Sequence, residues 1–139
     1  MEETATNRAV QLGDLGRATF STAIARDGWL FVSGLTAWIP GVGVERPGDI
    51  VHQTHVIFER LGEVLRRAGC DFKDVVATRE YITTTDRYRE TADIRRQYFP
   101  EPFPAATGVI VAGLLRPGVV IEIEAIAALS EKGTPPLRS

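Results

Sequence analysis

Two carboxylates, Glu122 and Glu124, interrupt the otherwise apolar run VVIEIEAIAAL, which extends from Val119 to Leu129. Its early positions are mostly β-branched, so the run reads as a strand. Side chains alternate across a strand, and a spacing of two therefore puts both acids on one face and gives Ile121, Ile123, Ala125 and Ala127 to the other. A carboxylate taken out of water needs a partner or takes up a proton, and a carboxyl with a raised pKa serves as general acid or base near neutrality. At least one of the two acids must meet that demand. For Glu124 the candidate partner is Arg79 in the strand-like TREYIT. Arg79 and Tyr81 share one face of that strand and could alternatively supply an anion clamp.

Other residues capable of chemistry have plainer readings. His52 and His55 in HQTH have helical metal-pair spacing, but no Cys or acidic ligand stands near them at metal spacing, which favours a solvated pair. Cys70 cannot form an internal disulfide, being the sole cysteine, and fits a reducing compartment and a small packing role. Thr83, Thr84 and Thr85 lack an adjacent base and sit where a strand-to-helix turn favours threonine. Arg87, Arg89, Arg95 and Arg96 are interleaved with Asp86, Glu90 and Asp93 at helical pairing distances, the pattern of a salt-bridged solvated surface. With a net charge of −2, composition does not recommend a nucleic-acid partner.

These residues need a scaffold, and 139 residues fit one domain, 1–139, with an ordered core of about 9–130. A 44% hydrophobic and 24% charged composition is that of a globular chain, and no apolar run is long enough for a membrane helix. The polar, acidic start MEETATNRAV lacks the pattern of a secretory signal, so a cytoplasmic location is expected. Loose ends are expected at Met1 to Arg8 and in EKGTPPLRS. Phe20 to Ala25 and Trp29 to Ser33 read as a hairpin about Asp27-Gly28, followed by the loop IPGVGVERPGD. A helix is predicted from Ile50 to Ala68, with Asp49 as N-cap, Gly69 as stop, and an apolar stripe through Ile57, Leu61, Val64 and Leu65. A strand over Val75 to Thr83, a helix over Asp86 to Tyr98, and strands over Thr107 to Ala112 and Val119 to Ala128 complete the order β-β-α-β-α-β-β, with hairpins at both ends. This is an α+β domain with a mixed sheet and two helices on one face. The other face is left bare and apolar, which predicts a homo-oligomer whose sheet faces meet at its centre.

The segments FVSG, AGCDFKDVV, YF…FPAATG and IEIEAIA, in this order between about Phe20 and Leu129, resemble the reactive-intermediate deaminase (RidA/YjgF) family. The resemblance implies a chorismate-mutase-like α+β fold and a homotrimer with a central barrel and clefts between subunits. It also implies hydrolysis of an enamine or imine from amino-acid metabolism to a keto acid and ammonia, with no cofactor and no metal. In that family an arginine holds the substrate carboxylate in a bidentate contact and a glutamate handles the water.

By this resemblance Glu122 is the catalytic, water-handling glutamate and Ser33 a substrate-binding serine. The family's PAR stands here as Pro104-Ala105-Ala106, so Ala106 replaces the carboxylate-binding arginine; Thr107 and Gly108 follow it in the expected substrate-binding segment. Phe20 replaces a tyrosine, and Ala92 replaces a polar residue. Losing one charge-assisted contact forfeits about 1.5–3 kcal/mol, one or two orders of magnitude in affinity for a small imino acid. A more apolar cleft, with Trp29 or Trp38 added, suits a larger or less charged small-molecule substrate from a specialised, biosynthetic pathway. Glu122 should then have a raised pKa through desolvation. The alternatives are a non-catalytic small-molecule-binding trimer and an endoribonuclease-like RNA-binding protein.

Overall fold

The computed structural model describes residues 6–13 and 15–130. EKGTPPLRS and the first five residues lie outside them. Strands β1 (Arg8–Val10), β2 (Ala23–Arg26) and β3 (Trp29–Leu35) precede a two-stranded ribbon, β4 (Trp38–Ile39) and β5 (Gly43–Val44). Helix α1 (Ile50–Arg67), strand β6 (Val75–Ile82), helix α2 (Thr91–Tyr98), strand β7 (Ala105–Ile110) and strand β8 (Ile121–Ala128) follow. The main sheet has the order β1-β2-β3-β8-β6-β7, with β6 and β7 parallel and every other pair antiparallel.

Helix α1 starts where its chemistry predicts. Asp49 caps it by accepting from the His52 N–H at 3.0 Å, and beyond Ala68 the chain turns off through Gly69 at φ +85°. Its stripe of Ile57, Phe58, Leu61, Val64 and Leu65 is buried against Leu30, Val32, Ile121, Ile123, Ala125 and Ala127 of the sheet. Burying each of the larger side chains contributes roughly 1.5–3 kcal/mol. Gln53, fully buried on the same helix, donates to Arg46 O at 3.1 Å and Gly118 O at 2.9 Å and accepts from Val120 N at 3.0 Å. It thereby ties the loops before α1 and before β8 to the helix.

Several boundaries and one pairing differ from expectation. Arg8, placed in the loose end, opens β1 and pairs with Ala25. The first hairpin strand begins at Ala23, so Phe20 precedes it and is exposed. Inside the Gly/Pro-rich loop the β4–β5 ribbon forms. The second helix begins at Thr91, after a single tighter turn at Tyr88–Glu90. Strand β7 begins two residues early, at Ala105. The expected carboxy-terminal hairpin does not exist. The β6-α2-β7 unit is a crossover, which makes β7 parallel to β6 and sends it to the sheet edge, while β8 inserts between β3 and β6. A turn-rich linker such as GLLRPG has no means of telling a hairpin from this longer return.

Both helices belong to one layer. The opposite sheet face carries Trp29, Phe31 and Ile126, each at least one-third exposed, together with Arg79, Tyr81, Glu122 and Glu124. All six residues of the edge strand β7 are exposed.

Candidate active site

The alternation of β8 settles where its acids point. Ile121, Ile123, Ala125 and Ala127 are buried toward the helices, and Glu122 and Glu124 stand half-buried on the bare face. Their environments differ. Glu124 accepts a short hydrogen bond from Tyr81 Oη and lies 3.7 Å from Arg79 Nη1 across the β6–β8 ladder. Arg79 is thus engaged by Glu124 and Tyr81, both of which raise its pKa. This is the ion-pair reading of Arg79 rather than an anion clamp.

Glu122 has no hydrogen bond or ion pair among the described residues. A bulge in β3 lies beside it: Val32 pairs with Ala125 but Leu35 pairs with Ile123, so Ser33 and Gly34 together oppose Glu124. The Glu122 side chain lies over Gly34, where a Cβ would stand only 2.5 Å from Oε2. From there it faces a cleft of about 370 Å³ lined also by Phe20, Ser33, Trp38, Arg60 and Arg116. Burial lifts the Glu122 carboxyl above the ordinary carboxylate range, and the charge of Glu124 adds to the effect.

Ser33 is fixed from both sides. Its N–H donates to Thr22 O at 2.9 Å and its hydroxyl donates to Ser21 O at 2.7 Å. The hydroxyl proton is committed, so Ser33 Oγ presents lone pairs to the cleft and can accept from an N–H.

Of the expected site residues, Glu122, Ser33 and Phe20 meet in this cleft, whereas Arg79, Ala106 and Thr107 line a different cavity of about 160 Å³ beside Glu124. Trp38, not Trp29, is the tryptophan that joins them; Trp29 lies at the far end of the bare face. Ala92 and Ala106 line a separate pocket of about 180 Å³ on the helix side, with Phe99, Phe103 and Arg95. Thr107 pairs with Arg79 at the sheet edge, and Gly108 lies against Tyr88, whose hydroxyl would be 3.4 Å from an added Cβ.

The arginine cluster is only partly the solvated surface expected of it. Arg87–Glu90 (2.8 Å) and Arg96–Asp93 (2.9 Å) follow that pattern. Arg95 does not: it turns inward and forms a two-pronged contact with Glu80, which is 2% exposed and also accepts from Tyr88 Oη at 2.6 Å. Strand alternation carried the signal for this, since Glu80 must face opposite to Arg79 and Tyr81, toward a helix whose inner face holds Arg95.

The remaining polar candidates are structural. His52 contacts Glu45 at 3.2 Å, and His55 lies against Tyr98. Burial, aided by Asp74 and Asp71, pushes the Cys70 thiol up to about 11, which makes it unreactive at neutral pH. Thr84 accepts from the Asp86 N–H at the strand-to-helix turn. Among the described residues no group of three or more His, Cys, Asp or Glu could hold a metal ion, and no helix is long and apolar enough to cross a membrane.

The family model described as Endoribonuclease L-PSP matches residues 15–129. The chain belongs to this family, the RidA/YjgF proteins. It is 35% identical over 108 residues to the 2-iminobutanoate/2-iminopropanoate deaminase of Capra hircus, covering 78% of each chain. To the chloroplastic Reactive Intermediate Deaminase A of Arabidopsis thaliana it is 33% identical over 110 residues, 79% of this chain and 58% of the relative. A Rid-family protein of unknown function from Yersinia pestis superimposes with a TM-score of 0.80 at 29% identity, covering 89% of this chain and all of the other. The YjgF-type α+β fold and a deaminase-like role on reactive intermediates follow from these likenesses.

Proposed function

We propose that this RidA/YjgF protein hydrolyses an enamine or imine larger than 2-iminobutanoate to a carbonyl compound and ammonia, with Glu122 as the base. The observation that carries the proposal is the state of Glu122: half-buried, unpaired among the described residues, above its ordinary pKa, and open to a cleft that also holds a fixed hydroxyl. In this reaction the carboxylate takes a proton from water as the oxygen bonds to the C=N carbon. Glu122 hands that proton on to the nitrogen, giving a carbinolamine, and then takes the carbinolamine hydroxyl proton and delivers it to the amine as the C–N bond breaks, leaving the C=O product and ammonia. Ser33 Oγ accepts from the imine N–H and orients the C=N bond. No step calls for a metal or an organic cofactor.

The non-standard substrate is inferred from Ala106, Ala92 and Phe20, which withhold three polar contacts and leave room for apolar bulk. The proposed setting is the cytoplasm, and the proposed assembly is a homotrimer with a central barrel, in which a neighbouring copy brings the Ala92–Ala106 pocket against the Glu122 cleft. The ion-paired state of Arg87, Arg95 and Arg96 favours this reading over an RNA-binding face.

The test is hydrolysis of imines generated in place by an amino-acid oxidase from a series of amino acids, followed as loss of imine. Acceleration that rises with side-chain size, and falls by about 10²–10⁴-fold in Glu122→Gln, is expected. Unchanged turnover in Glu122→Gln, with the fold intact, overturns the assignment.

A further inference from the structure

The Glu122 cleft contains two cations, Arg60 and Arg116, and only the first is spent on backbone carbonyls. Arg116, in the loop before β8, lies with its guanidinium carbon 3.9 Å from the centre of the Trp38 ring. No carboxylate pairs with it among the described residues, although it lines the same cavity as Glu122. Arg116 itself is exposed, and its support comes from half-buried and buried neighbours. Arg60, on α1, donates from Nη1 to Thr36 O at 2.7 Å and Trp38 O at 3.4 Å, which fixes the backbone carrying the ring. The other end of the Arg116 loop is held by Gln53 on Gly118 O and by the Gly48 N–H on the same oxygen at 2.9 Å. A guanidinium held over an indole face spends none of its N–H donors on the ring, and because Arg116 also lines the cavity its planar fork can match the two oxygens of a carboxylate there.

We propose that Arg116, seated on Trp38, is the carboxylate-binding residue of this chain, so that its substrates are anionic imines whose charged end lies at the β4 side of the cleft. This rests on the imine-hydrolysis reading of Glu122 and refines it: the charge lost at Ala106 is supplied from the Glu122 cleft itself. A substrate spanning from Arg116 to the base carries its carboxylate at one end and its C=N carbon near Glu122. The apolar walls around Ala92 and Ala106 are then free for a bulky side chain. Arg116 binds and orients; it takes no proton. Trp38 and Arg60 are positioning residues that act through it.

The experiment uses the full chain and two probes that differ only in charge, phenylpyruvate and its methyl ester. Binding is read by tryptophan fluorescence and by competition against imine hydrolysis. The wild type is expected to bind the acid about 10- to 100-fold more tightly than the ester, the range for one charge-assisted bidentate contact. Arg116→Ala should erase that preference, raising KM for anionic imines by a similar factor with kcat within about threefold. Arg116→Lys should keep part of it, and Trp38→Leu should weaken it without touching Glu122. An acid-to-ester ratio that stays the same in Arg116→Ala overturns the proposal. Loss of the ratio in Arg116→Ala alongside full activity in Glu122→Gln would instead overturn the catalytic reading and leave the anion site standing.

Discussion

Adding one methyl group at Gly34 should disable the site without removing any polar group. Gly34 does not sit at positive φ, so alanine fits its backbone, and the obstacle is Glu122 alone. The new Cβ would stand 2.5 Å from Oε2, 2.8 Å from Cδ and 2.9 Å from Cγ, where an ordinary contact is about 3.4 Å or more. The carboxylate must therefore retreat by about 0.9 Å, and a misplacement on the order of 1 Å costs roughly 10²-fold in rate. The Glu122 side chain is half-buried and lines the cleft, into which it can swing, so the clash relaxes cheaply. Replacing a strand glycine also removes about 0.4–1 kcal/mol of unfolded-state entropy, which offsets the residual strain. The expected result for Gly34→Ala is a melting temperature within a few degrees of wild type and kcat lower by about two orders of magnitude in the oxidase-coupled imine assay. Combining it with Glu122→Gln should cost no more than Glu122→Gln alone, because both variants remove the same carboxylate from the same place. A Gly34→Ala protein that melts normally and turns over within about threefold of wild type would refute the claim that this carboxylate position matters.

Glu122→Gln should also raise stability in a pH-dependent way. Because the folded chain holds this proton more tightly than the unfolded one, ionised Glu122 lowers stability as pH rises from its unfolded value near 4.5 through its raised folded value. The variant should therefore melt higher than wild type at pH 7, and the two should converge below about pH 4; the acid limb of kcat should correspondingly lie above the ordinary glutamate range. Arg95→Ala strands Glu80 without its cation in the core and should cost about 3–5 kcal/mol in denaturant unfolding, whereas Arg96→Ala at the surface should cost no more than about 1 kcal/mol. In an Arg116→Ala background, Ala106→Arg should raise hydrolysis of the imine from 2-aminobutanoate by about one to two orders of magnitude if copies of the chain assemble as proposed. Phe31→Glu, placed in the bare apolar face, should shift the protein to a monomer in light scattering and abolish activity with it.

Period and punctuation made most of the scaffold legible. The 3.6-residue stripe and the Asp49 and Gly69 stops gave α1 nearly to the residue. The two-residue alternation gave the facing of β8, and one helix layer against a two-sided apolar sheet gave the bare face. Pairing between distant strands was not legible, because β8 reaches its place between β3 and β6 through contacts that leave no local trace. The β4–β5 ribbon was hidden for a similar reason: Gly- and Pro-rich spacing reads as loop whether or not two residues on each side happen to pair. At the site, Glu122 was legible from the alternation of its strand, and Ser33 only through the family resemblance of FVSG. The role of Gly34 was not, since it depends on a bulge whose register only the fold defines. Arg60 and Arg116 were likewise invisible as cleft residues, one lying on a helix and the other in a turn, 56 positions apart in the chain.

The division of the expected site between two places is itself an argument about assembly. Ala106 pairs with Thr78, which is buried toward the helices, whereas Glu122 pairs with Tyr81 on the opposite face. Residues of paired strands that share a face stay on it, so no rotamer change within one chain can bring positions 106 and 122 to the same cleft. A site drawing on both requires the edge of one copy to meet the bare face of another. The surfaces needed for that contact are also the ones the single chain leaves unsatisfied: β7 is a fully exposed edge strand, with Ile110 at 66% and nearby Phe103 at 49% exposure, and the bare face presents Phe31 at 47%. An exposed edge with apolar flanks is a liability unless something covers it. Covering it with a second copy in closed symmetry would protect the edge and complete the cleft in a single step. On this reasoning, dilution below the dissociation constant should lower specific activity in proportion to the loss of oligomer, whereas a site complete within one chain would hold its activity per subunit constant.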